Sequence, residues 1–84
     1  MIKKYNGPNG EYEAIKYLSY SNDYNSVVDL VRDMDKWVVF VISENAIMVN
    51  DRVVVLGQVV VKLSIHRVEV WNEGAFETNF TPVE

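Results

Sequence analysis

No cysteine occurs among the 84 residues, so a disulfide framework, a thiolate nucleophile and a sulfur-ligated zinc site are all excluded. Cationic residues are also short: eight Lys and Arg face twelve Asp and Glu, for a net charge of −4. That balance does not suit a generic binder of phosphate backbone, and direct nucleic-acid binding is not expected. Long hydrophobic runs are missing. The most apolar stretch, residues 53–63, is broken by Gly57, Gln58 and Lys62 and falls short of the roughly 18 residues a membrane span needs. Lys3 and Lys4 begin the chain as a signal peptide would, but no run of about 7–15 apolar residues follows them. A soluble protein of the cytoplasm is expected, and the sequon Asn79-Phe80-Thr81 then carries no meaning. Internal repeats and low-complexity segments are absent.

What is present is apolar. Hydrophobic residues make up 49% of the chain and aromatics 12%, too much for a disordered tail. The length allows one domain, residues 1–84. A chain this short buries only about 60% of the surface its unfolded form exposes, so its stability margin is thin.

The pattern along the chain predicts an α+β fold. A turn-rich segment, Asn6-Gly7-Pro8-Asn9-Gly10, separates a first short strand (2–5) from a second (11–17). Residues 21–26 offer several helix caps, and Ser26 with Asp29 is a weak capping box. Tyr24, Val27, Val28, Val31 and Met34 then recur at helical spacing, with Asp29, Arg32, Asp33 and Lys36 opposite. This is the only helix expected. Strands follow at 37–42, 46–49, 53–56 and 59–63. Gly57-Gln58 between the last two reads as a type II′ hairpin turn. Val59, Val61, Leu63 and Ile65 share one parity and Val68 and Val70 the other, so a bulge or turn belongs near residues 64–67. Asn72-Glu73-Gly74 reads as a turn, Phe76, Thr78 and Phe80 as an alternating final strand, and Pro82 as its stop.

Chemical constellations are sparse. His66 is the sole histidine; Ser64 shares its parity on a strand, about 7 Å away along the chain. No third orienting group and no Gly-x-Ser-x-Gly elbow accompany them. Asp29, Asp33 and Asp35 cluster without an EF-hand pattern, and Gly7 with Gly10 is too little for a nucleotide loop. No catalytic residue, metal or cofactor is expected.

Aromatic residues are expected mostly in the core, with Trp71 as the exception. Its parity places it outside, beside Arg67 and Glu69, in the composition of a binding hot spot unless another part of the chain covers it. Trp71, Arg67, Glu69 and His66 are the candidate binding residues. Residues 37–42 and 53–61 are apolar on both faces, and one helix covers only one face of a sheet. The expected architecture is therefore a helix on a mainly antiparallel, strongly curved sheet, or a small partly open barrel of about five to seven strands. Self-association is the alternative way to cover the surplus.

The segments Met1-Ile2-Lys3-Lys4-Tyr5, Tyr12-Glu13-Ala14-Ile15-Lys16-Tyr17 and Asn22-Asp23-Tyr24-Asn25-Ser26-Val27 resemble a family of small bacteriophage and prophage proteins. Those open with a basic start and a Glu-Ala-Ile-Gln-Trp-like strand, then an Asn-capped helix. Residues 49–57 are similar to the family's Gly-Asp turn, apolar strand and Gly turn, with Asn50 in place of the usual Gly. Residues 76–84 are similar to its Phe-Glu strand and acidic end. Lys16-Tyr17 replace Gln-Trp, and residues 65–73 are longer than the family pattern. The resemblance implies phage origin, a location in the bacterial host cytoplasm and an accessory role; it transfers no functional residue.

Together these readings lead to a non-enzymatic phage accessory protein that binds a host protein and inhibits or redirects it, as in an anti-defence or host-takeover role. Two alternatives stand beside it. One is an oligomeric sponge for a small anion such as a nucleotide, held by Arg67, Lys62, Arg52 and tyrosines. The other is a structural or assembly accessory of the phage.

Overall fold

The computed structural model describes residues 1–83; Glu84, the acidic end of the resemblance, lies outside them. The chain runs β1 (Lys3–Gly7), β2 (Gly10–Tyr17), α1 (Tyr20–Val31), β3 (Val39–Ser43), β4 (Ala46–Val49), β5 (Arg52–Val55), β6 (Gln58–Ser64), β7 (Arg67–Asn72), α2 (Glu73–Asn79) and β8 (Thr81–Pro82). Every strand pairing is antiparallel. The fold is α+β, but the strands form no barrel. They make a five-stranded sheet, β7-β6-β2-β1-β8, and a separate three-stranded sheet, β3-β4-β5.

The larger sheet is apolar on both sides because both sides are covered. Along β2, Ile15 and Tyr17 enter one core while Ala14 and Tyr12 enter the other, and β6 divides in the same way between Val60 and the pair Val59 and Val61. The alternation is weak in the sequence because neither parity is solvated. On one side Val27, Leu30 and Val31 of α1, then Met34, pack with Ile47, Val49 and Val54 of the smaller sheet. On the other side Phe76 of α2 and Phe80 close over Tyr5, Ala14, Val59 and Val61.

Three expectations fail here, each for a local reason. Gly57 does take a positive φ of 93°, yet the strands it joins do not pair. Both edges of β6 are occupied, by β2 and β7, so the turn carries the chain from one sheet to the other. It is anchored by Gly57 N–H donating to Tyr17 O at 2.8 Å and Leu56 N–H donating to Asn45 O at 3.1 Å.

The expected last strand is mostly helix. Phe76 and Phe80 share strand parity, but four residues also make one helical turn, and their rings stack at 4.6 Å. Thr78 Oγ1 donates to Gly74 O at 3.0 Å and Asn79 Nδ2 to Ala75 O at 2.8 Å. A helix this short persists through packing rather than propensity.

Finally, α1 begins at Tyr20, ahead of the expected caps. Asp23 accepts the backbone N–H groups of Leu18 (2.9 Å) and Ser19 (3.0 Å), which fixes the entry to the helix. The irregularity near residues 64–67 does occur: β6 and β7 slip register between Lys62 and Ser64, and Ile65-His66 form the turn.

Candidate functional site

Arg67, Glu69 and Trp71 do lie on one face of β7, but that face is not free. Glu69 accepts from the Arg67 guanidinium at 3.1 Å through Oε2 and from the Trp71 indole at 3.3 Å through Oε1. The indole itself packs into the second core against Phe80. Trp71 is therefore partly buried rather than an exposed anchor; Phe80, which follows α2 and reads as part of a strand in the sequence, is the cover. A shallow cleft of about 300 Å³ remains beside this row, bounded by Pro8, Asn9 and Tyr12.

His66 stands apart in the exposed β6–β7 turn, its Nδ1 3.9 Å from Asp35 Oδ2. The Ser64 hydroxyl accepts the backbone N–H of His66 at 3.1 Å, so the two form a turn contact and not a nucleophile–base pair. The three aspartates also disperse: Asp29 pairs with Arg32 at 3.0 Å, and Asp33, already past the end of α1, pairs with Lys62. That contact and the Lys62 ammonium hold the Asp33 carboxyl below its usual range. No group of three or more His, Asp or Glu poised for a metal occurs among the described residues. None of the described helices is long and apolar enough to cross a membrane.

The surplus apolar surface that the sequence places at residues 37–42 and 53–61 falls largely on the smaller sheet. Directly paired residues share a face, so Phe40, Met48 and Val53 form one row across its outer side, and Ala46 with Val55 a second, with Ile42 alongside. Phe40 is 49% exposed, Ile42 53%, Val53 49% and Val55 42%. No charged side chain interrupts these rows, and the outer edges of β3 and β5 are unpaired. The inner face of the same sheet supplies Ile47, Val49 and Val54 to the core. Residues 37–42 contribute no fully buried side chain, so β3 is the least covered strand of this sheet.

At one end of this sheet, where it meets the β6–β7 turn, lies a cleft of about 510 Å³ lined by Lys36, Trp37, Arg52, His66 and Arg67 among others. It gathers two of the candidate residues, His66 and Arg67, and leaves out Glu69 and Trp71. Of the expected anion pocket it contains Arg52 and Arg67 but neither Lys62 nor any tyrosine. Lys36 and Trp37 were not foreseen; a lysine beside the first residue of an apolar run was the available signal. Compared with family models, curated proteins and solved structures, the chain matches none.

Proposed function

We propose that this is a non-enzymatic phage accessory protein that binds a host protein through the outer face of the β3-β4-β5 sheet. The observation that carries the reading is the uncharged row Phe40–Met48–Val53, exposed at Phe40 and Val53 and bordered by the unpaired edge of β3. Exposed apolar rows of this kind favour contact with another surface. The phage assignment rests on the sequence resemblance alone, and the binding role is favoured by the Ser64–His66 geometry, which lacks a nucleophile–base arrangement.

We take the occupant to be a foreign protein, as the resemblance to phage accessory proteins implies, with a second copy as the opposing outcome of the test. Three strands of four or five residues present a footprint of roughly 200 Å², from ~3.4 Å per residue and ~4.8 Å between strands. Two copies stacked sheet on sheet would cover far less than the ~800 Å² per partner of a stable complex. A partner that lies on the face and also adds a strand to an open edge reaches that size.

The test is light scattering at low and high concentration, followed by affinity capture from host lysate with the wild-type chain and Phe40→Asp. A monomer that retains a host protein in defined stoichiometry, with retention reduced at least about tenfold by Phe40→Asp, is the expected result. A dimer that Phe40→Asp converts to monomer assigns the face to a second copy and overturns the proposal. So does a host protein retained equally by both chains, or none retained by either.

A further inference from the structure

The cleft at the junction of the two sheets differs from the rest of the surface in charge. The chain carries twelve acidic and eight basic side chains, yet Lys36, Arg52 and Arg67 converge here with only one lining carboxylate, Asp51. Asp51 sits 3.8 Å from Arg52 and is almost wholly in solvent. Lys36 has no ion-pair partner among the described residues. Glu69, on Arg67 at 3.1 Å, and Asp35, 3.9 Å from His66, stand behind the lining, so the excess of positive charge is confined to the cleft's own walls.

Its walls are fixed by the backbone. Asn50 takes a left-handed φ of 55°, which Asn tolerates. It clamps the entry to β3 twice: its N–H donates to Val38 O at 2.7 Å, and its Oδ1 accepts from Val38 N–H at 2.9 Å. On the other side Asp35 N–H donates to Ile65 O at 2.9 Å, tying the Lys36-Trp37 segment to the β6–β7 turn. Three separate segments, around residues 36–38, 50–52 and 66–68, are thereby held together, so the backbone that carries the three cations is fixed. Trp37, 41% exposed, adds an aromatic surface to the same cleft.

We propose that this cleft binds a small organic anion that combines a phosphate with a planar ring, in the size and chemistry of a nucleoside monophosphate. Guanidinium groups bind phosphate through paired, charge-assisted hydrogen bonds, and an indole face stacks on a planar base. The cleft volume lies within the usual range for small-ligand sites. A polyanion is disfavoured because the net charge of −4 repels the remainder of a nucleic acid. Arg67 is shared between this cleft and Glu69, so ligand binding draws it away from that carboxylate. The inference is independent of the apolar face, whose rows carry none of these cations.

Fluorescence titration in a Trp71→Phe background leaves Trp37 as the only tryptophan and reads the cleft directly, with calorimetry on the wild-type chain as a second measure. Adenosine 5′-monophosphate is expected to bind saturably and change Trp37 emission. Inorganic phosphate alone should bind about tenfold more weakly, and adenosine alone should give no saturable signal; each strong contact contributes on that scale. Arg52→Ala and Arg67→Ala, both at exposed positions, should each weaken binding about tenfold, whereas Glu69→Gln should tighten it. The proposal is overturned by the absence of saturable binding up to several millimolar monophosphate, or by affinity unchanged in the two arginine variants. It is also overturned if a 5′-phosphorylated oligonucleotide binds more tightly than the monophosphate.

Discussion

The indole of Trp71 meets the ring of Phe80 edge to face, with centroids 5.1 Å apart and planes at 85°. Phe80 in turn stacks on Phe76 at 4.6 Å, and Phe76 meets Tyr5 edge-on at 4.8 Å. These contacts draw the tryptophan into the second core. Edge-to-face pairs add to simple burial because the positive ring edge meets the negative ring face.

Trp71→Ala is therefore expected to act on the fold. It removes one wall of the aromatic core and should cost about 2–4 kcal/mol, which lowers the melting temperature by roughly 4–8 °C per kcal/mol in a domain of this size. Trp71→Phe keeps a ring against Phe80 and should lose less than about 1.5 kcal/mol. Thermal unfolding of both variants checks this. A wild-type midpoint for Trp71→Ala would place the ring outside the core.

Two glycines should respond to alanine with opposite signs. A Cβ on Gly7 would stand 2.5 Å from Phe80 Cε2 and 2.9 Å from Tyr12 Cε2, so at least the buried Phe80 ring would have to shift. Gly7→Ala should destabilise by about 1–3 kcal/mol. Gly74, in the first turn of α2, has no neighbour within 4 Å of such a Cβ among the described residues. Gly74→Ala should stabilise by about 0.5–1 kcal/mol through chain entropy. Urea midpoints shifting in the same direction for both would contradict this packing.

Alkaline pH should weaken the protein through Tyr17 and Lys16. The Tyr17 hydroxyl is buried with no hydrogen-bond partner among the described residues. Burial first, then the proximity of Tyr20, Asp23 and Tyr24, raises its pKa above the usual tyrosine value. Lys16 is raised as well, chiefly by its hydrogen bond to Glu77 at 2.7 Å, against an opposing effect of burial and with help from Glu73. A folded pKa above the unfolded one means stability that is complete below the unfolded value and fades as pH rises through the folded one. Both groups thus predict a decline that starts near pH 10. Tyr17→Phe removes an unpaired buried hydroxyl, so it should gain about 1 kcal/mol at pH 7 and flatten the alkaline decline. Denaturation at pH 7 and at pH 10.5 tests both halves.

Much of this architecture was legible in the chain, and what was not has physical causes. The β1–β2 turn, α1 and the slip after Lys62 follow from local chemistry: turn residues, helical spacing and a parity break. Surplus apolar surface was also readable, at residues 37–42 and 53–61, of which residues 59–61 lie in the larger sheet with both faces buried. Its cover was not, because Phe76 and Phe80 satisfy strand and helix periods equally and only the tertiary stack decides between them. Gly57 shows the same limit, since a local turn signal cannot report that β6 has no free edge. Arg67 and His66 do reach the cleft, but their neighbours Lys36 and Arg52 come from segments that only the packing of two sheets brings together.

Asp23 offers the most direct separation of geometry from charge. One of its oxygens, Oδ2, accepts both the Leu18 and Ser19 N–H groups, while Oδ1 lies 3.8 Å from the amino terminus. An amide at this position keeps one acceptor oxygen and so can preserve the two backbone contacts. Asp23→Ala loses them and should cost about 1 kcal/mol. Asp23→Asn loses only the attraction of a carboxylate for the ammonium group and the helix N-terminus, about 0.3–0.5 kcal/mol. That smaller deficit should vanish in 1 M salt, where exposed charges are screened within about 3 Å, while the alanine deficit should persist. If Asn proves as costly as Ala at every salt concentration, charge and not the shared acceptor holds the entry to α1.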